Sequence, residues 1–148
     1  MTDAAHLSAC PQCQTALDKQ TTFCPECRLP LLLLAGKYRI KRELSRGWFG
    51  VVYLAKHIHL STRAERVIKL MRPELTKSPE FTKRFMREVQ TTSVISLENE
   101  HIVRVFDDFG EVPQLGHYYV MEYLEGRTLR SLVKELGQLS VHLSLRIF

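Results

Sequence analysis

The sequence predicts an α+β protein in two unequal parts, a small cysteine-organised module followed by a larger segment of strands with one long helix. Three observations carry that expectation. All four cysteines lie before residue 28. Short β-branched and aromatic runs with period-two alternation begin at Tyr38. The stretch from Pro79 to Ile95 has the 3.6-residue periodicity of an amphipathic helix. With 148 residues, 45% hydrophobic and 25% charged, the chain has room for one ordinary domain plus a module too small to bury a core unaided.

The cysteines form two CPxC pairs, Cys10-Pro-Gln-Cys13 and Cys24-Pro-Glu-Cys27. Two tight turns that each present two thiolates supply the four soft ligands of a tetrahedral zinc ion, and the short span between them can fold as a hairpin. Two disulfides would instead require an oxidising compartment that nothing in the sequence suggests. Four protein ligands close the coordination shell, so the expected zinc is structural. His6 is a less suitable substitute ligand, lying near the terminus. The motif resembles a zinc ribbon, and Pro30 with the segment Leu31 to Gly36 reads as a short seam. This divides the chain into a ribbon and linker, 1–36, and a second domain, 37–148.

The second part reads as strands from Tyr38 to Leu44, Val51 to Ala55 and Arg66 to Met71. Between the first two lies Ser45-Arg46-Gly47-Trp48-Phe49-Gly50, a glycine-containing turn whose backbone N–H groups could cradle anionic charge. Alternation places Val67 and Lys69 on one face of the third strand and Ile68 and Leu70 on the other. A lysine beside a core valine needs an anion or a route to water. On the following helix Phe81, Phe85 and Ile95 fall within about 60° of Glu88, which puts a carboxylate on the inward face. Lys69 is its natural partner, with an i, i+4 pairing to Arg84 as the surface alternative.

These pieces occur in a fixed order: LSRGWFGVVY (44–53), RVIK (66–69), FMREVQ (85–90), HIVRVFDDFGE (101–111) and YYVMEYLEGRTL (118–129). The series resembles the N-terminal lobe of a protein kinase, most closely the bacterial serine/threonine kinases related to the eukaryotic ones, over residues 37–148. The resemblance implies an antiparallel five-stranded sheet with one large helix and the first helices of the C-lobe. It implies ATP-dependent phosphorylation of protein serine or threonine, with Lys69 and Glu88 as the catalytic ion pair. It also implies an ATP-contacting set of Leu44, Ser45, Gly47, Phe49, Gly50, Val52, Val67, Lys69, Met121, Glu122 and Leu124. Ser45 stands where the family has its first loop glycine, and Val67 where it has a small alanine. Met121 matches the gatekeeper, and Glu122 and Leu124 the hinge.

Asp108-Phe109-Gly110 spells the family's magnesium-binding triplet, yet it precedes the hinge instead of following a catalytic H-R-D. It is expected to be a decoy at the end of a strand running from Ile102 to Phe106, with Gly110 and Glu111 opening a turn. Aspartate occurs only at 3, 18, 107 and 108 and no H-R-D is present. The chain therefore reads as the front part of a longer kinase, inactive alone, with magnesium expected only in a complete domain. A non-catalytic ribbon-and-lobe regulatory module is the alternative. Beyond the hinge, Leu129, Leu132, Val133 and Leu136 form an apolar stripe expected to pack in a core, with Thr128 as cap.

The net charge of +5 divides as −1 over residues 1–36 and +6 over 37–148. The ribbon's acidity and its single aromatic, Phe23, argue against nucleic acid as a partner. The apolar run Leu31 to Ala35 falls far short of the roughly 20 residues of a membrane helix. The first residues, MTDAAHLSAC, lack a basic region followed by an apolar stretch, so a cytoplasmic protein is expected. The substrate protein is not specified by the sequence.

Overall fold

The computed structural model describes residues 7–17, 21–113 and 115–147; His6 lies outside them. In chain order the elements are β1 (Leu33–Leu34), β2 (Tyr38–Arg46), β3 (Gly50–His57), β4 (Glu65–Met71), α1 (Pro73–Thr76), α2 (Pro79–Glu98), β5 (Val105–Val112), β6 (Gly116–Glu122), α3 (Leu129–Leu136) and α4 (Val141–Ile147). The strands form one sheet in the order β1-β2-β3-β4-β6-β5, with every neighbouring pair antiparallel.

The sheet has six strands where five were expected. The extra one comes from the seam: the chain reverses at Ala35 and Gly36, at φ 50° and 69°, and Leu33 and Leu34 pair with Arg39 and Tyr38. The fifth strand also begins later than the predicted Ile102. A turn after α2, with Ile102 N–H donating to the Asn99 carbonyl at 3.1 Å and His101 N–H to Asn99 Oδ1 at 2.9 Å, occupies that segment. Gly110 and Glu111 consequently lie inside β5 and do not open a turn.

Alternation along the strands gives the sheet two differently covered faces. One face carries Val51, Tyr53, Ile68, Leu70, Tyr118 and Val120, which join Cys10, Cys24, Leu29, Leu31 and Leu34 in a single buried cluster. The ribbon is thus a cap on the sheet, and the seam is part of the core. The opposite face packs on α2 through Met71, Phe85, Val89, Val105 and Tyr119.

Thr128 caps α3 as expected, its Oγ1 accepting from Ser131 N–H at 3.1 Å. The stripe it introduces is not core, however: α3 has no buried residue, and Leu129, Val133 and Leu136 are exposed. The last turns of α2 likewise leave Val94, Ile95 and Leu97 exposed, so Ile95 does not share the buried face of Phe85. The sheet meets α2 earlier along the helix, at Phe85, Glu88 and Val89. No helix among the described residues is long and apolar enough to cross a membrane.

Candidate functional site

Lys69 and Glu88 meet as the alternation and helical phase predict. Lys69 Nζ donates to Glu88 Oε1 at 2.5 Å, while Arg84 pairs with Glu80 at 2.6 Å instead. A second donor reaches the same carboxylate oxygen: the Tyr119 hydroxyl at 2.7 Å. Burial raises the Glu88 carboxyl, but the hydrogen bonds from Lys69 and Tyr119 and the charge of Lys69 outweigh it and hold the group below the ordinary carboxylate value. Burial, then Glu88, push the Tyr119 hydroxyl up, so it stays a donor. With the Glu88 side chain 40% exposed, solvent screening keeps the pair's stability contribution small. Its consequence is the aim of the Lys69 ammonium.

The glycine turn lies at one end of the face that carries Lys69. Strand β3 begins at Gly50, where an added Cβ would come within 2.5 Å of the Leu70 carbonyl oxygen, so only glycine allows β3 to close on β4 there. Gly47 N–H donates to the Gly50 carbonyl at 2.9 Å and Arg72 Nε to the Gly47 carbonyl at 3.0 Å. Trp48, Phe49 and Phe81 make a trio of edge-on rings with centroids 5.3 to 5.6 Å apart, which rests the turn against the start of α2. No spacing rule in the sequence signals this contact, nor the Tyr119 bond. Both join segments far apart in the chain.

Register sets the remaining candidates. Val52 pairs with Lys69, Lys69 with Tyr119, and Val67 with both Leu54 and Met121, so Val52, Val67, Lys69 and Met121 share one face. Ser45 pairs with Val52, and Leu44 falls in an irregularity of the β2–β3 ladder. Glu122 ends β6, with its N–H bonded to the Arg104 carbonyl at 2.9 Å and its Oε1 accepting from Arg104 N–H at 2.7 Å. Leu124 is exposed just beyond.

The ribbon is built from two equivalent knuckles. Gln14 N–H returns to the Cys10 carbonyl at 2.9 Å and Arg28 N–H to the Cys24 carbonyl at 3.0 Å. Gln14 and Arg28 sit at φ 63° and 61°. The sulfurs of Cys10 and Cys27 lie 3.6 Å apart and those of Cys13 and Cys24 3.5 Å, and all four ligand atoms fall within 4.8 Å of one another. A tetrahedron with metal–sulfur arms of about 2.3 Å has edges of about 3.8 Å, so the cluster fits zinc, and the spacing is far beyond a disulfide's roughly 2.05 Å. Hydrogen bonds from Thr15 bring the Cys13 thiol down to about 6, whereas burial pushes Cys27 up to about 12.

The family model for protein tyrosine and serine/threonine kinases matches residues 38–147. The chain belongs to the protein kinase family. It is 39% identical to the serine/threonine-protein kinase PrkC of Bacillus subtilis over 106 residues, covering 72% of this chain and 15% of that protein. It is 33% identical to PknA of Mycobacterium tuberculosis over 112 residues, covering 73% of this chain and 25% of that one. The crystal structure of the Mycobacterium tuberculosis PknI kinase domain aligns with a TM-score of 0.56 at 25% identity, over 75% of this chain and 42% of that domain. The kinase lobe described here thus spans a quarter or less of the length of these two curated relatives.

Within the kinase lobe the Asp108-Phe109-Gly110 triplet is a structural feature of β5. Asp108 accepts from the Tyr38 hydroxyl, pairs with Lys37 Nζ at 2.7 Å and lies 3.4 Å from the Tyr118 hydroxyl. Tyr38 and Tyr118 belong to the ribbon-covered cluster, on the face opposite Lys69 and Glu88. Its oxygens accept the bonds that tie β2, β5 and β6 together, so this carboxylate does not fit a magnesium site beside Lys69.

Proposed function

We propose that this chain is the ATP-binding part of a serine/threonine protein kinase. The observation that carries the reading is the Lys69–Glu88 pair on the sheet face beneath the glycine turn. In this reading Lys69 engages the α- and β-phosphates and Glu88 holds it in place. Leu44, Ser45, Gly47, Phe49 and Gly50 cover the nucleotide. Val52, Val67 and Met121 enclose the adenine, and the Glu122 carbonyl and Leu124 N–H bind its edge. Cys10, Cys13, Cys24 and Cys27 hold a structural zinc that keeps the two knuckles together, and the protein works in the cytoplasm.

Transfer of the γ-phosphoryl group to protein serine or threonine needs a base and a magnesium site. No aspartate follows Asp108 in the sequence, so we assign both to a C-lobe outside these residues, and the 148-residue chain alone is inactive. Titration of the chain with a fluorescent ATP analogue tests the reading. Saturable binding is expected, weakened at least about tenfold by Lys69→Met; equal affinity in that variant would overturn it. One zinc per chain by elemental analysis is the expected metal content.

A further inference from the structure

The proposed phosphate-binding pair has a third member. Tyr119 and Lys69 are register partners across β4 and β6, so the tyrosine rises from the sheet beside the lysine and beneath α2. Its ring is buried, 5.4 Å from the ring of Phe85, which precedes Glu88 by one helical turn. Its hydroxyl donates to Glu88 Oε1 at 2.7 Å, the same oxygen that receives Lys69 Nζ. The Lys69 ammonium in turn sits 5.8 Å from the centre of the Tyr119 ring. One side chain therefore touches the helix through its ring and the carboxylate through its hydroxyl. It also lies against the lysine.

We infer that Tyr119 is a positioning residue that locks Glu88 onto Lys69 and so holds α2 against the sheet before nucleotide arrives. The inference rests on the ATP-binding reading above. A lysine–carboxylate pair with a half-exposed partner is a weak tether, because water competes for both ends. A buried hydroxyl has no such competition, and a neutral donor adds a bond to the carboxylate without repelling the ammonium. Lys69 from β4 and Tyr119 from β6 are the titratable groups that act on Glu88; Phe85 and Val89 on α2 and Val105 on β5 are apolar. Among the described residues Lys69 and Tyr119 are the side chains that hydrogen-bond Glu88.

Tyr119→Phe removes the hydroxyl and keeps the ring that packs on Phe85. Tyr118→Phe is the control, since Tyr118 is equally buried but bonds Asp108 on the opposite face. In the 148-residue chain, the Glu88 carboxyl titration is followed by carbon-detected NMR and affinity is read with the fluorescent ATP analogue. Tyr119→Phe should raise the Glu88 midpoint and weaken the analogue about three- to tenfold, and Tyr118→Phe should change neither. In a Glu88→Gln background Tyr119→Phe should cause less than about a twofold further loss. An unmoved Glu88 midpoint, or the same changes from Tyr118→Phe, would overturn the inference. If the wild-type chain binds no analogue, the nucleotide reading fails, and the Glu88 midpoint still decides the role of Tyr119.

Discussion

Gln12 and Glu43 join the two parts of the molecule: Gln12 Oε1, in the first knuckle, accepts from the Glu43 backbone N–H in β2 at 2.8 Å. A second link runs from Arg39 Nη1 to the Leu31 carbonyl at 2.8 Å. Between them the buried Cys10, Cys24, Leu29 and Leu31 share a cluster with the sheet. The ribbon and the kinase lobe are therefore expected to unfold together. Cys24→Ser, or chelation of the proposed zinc, should lower the melting temperature of the sheet by at least about 5 °C in a single transition. Two separate transitions in circular dichroism, with the main one unmoved, would contradict this.

Asp108 is predicted to contribute stability and nothing to nucleotide binding. Asp108→Asn should cost about 1–3 kcal/mol in urea unfolding and leave ATP-analogue affinity within about twofold. Burial raises the Asp108 carboxyl, but hydrogen bonds from Lys37 and Tyr38 and the charge of Lys37 bring it below the ordinary value. A depressed carboxyl stabilises the fold fully above the unfolded value of about 3.9 and loses that contribution as pH falls through the folded value. The gap between wild type and Asp108→Asn should accordingly shrink below about pH 4. A constant gap down to about pH 2 would refute the ion-pair account.

The two glycines of the turn should differ sharply. Gly50→Ala drives a Cβ to 2.5 Å from the Leu70 carbonyl oxygen, whereas a Cβ on Gly47 would come no closer than 3.8 Å to the Gly50 carbonyl oxygen. Denaturant midpoints should show a loss of about 1–3 kcal/mol for Gly50→Ala and within about 0.5 kcal/mol for Gly47→Ala. Equal losses would mean that the close approach of β3 to β4 does not set the requirement.

Trp48 is the single tryptophan and is 64% exposed at the tip of the turn. Its edge-on contact with Phe81 makes it a reporter of how the turn rests on α2. Phe81→Ala should shift Trp48 emission to the red and raise its quenching by iodide, while costing at most about 1 kcal/mol, because Phe81 is only partly buried. An emission spectrum identical to wild type would show that the two rings do not meet in solution.

The sequence by itself determined the local pieces and their order. Period-two alternation put Val67 and Lys69 on one face, helical phase put Glu88 beside Phe85, and CPxC spacing paired the cysteines, because each depends on neighbours within a few residues. Chain order alone also disqualified Asp108 from the magnesium role. Only the tertiary structure decided what those pieces meet. Tyr119 reached Glu88 across 31 positions and Asp108 met Tyr38 across 70, separations over which no periodicity carries information. The seam became strand β1, and the ribbon became the cover of one sheet face. An apolar run such as Leu31 to Leu34 reads as linker until the exposed sheet that it can bury is known, and the stripe of α3 reads as core although none of its residues is buried among the described residues.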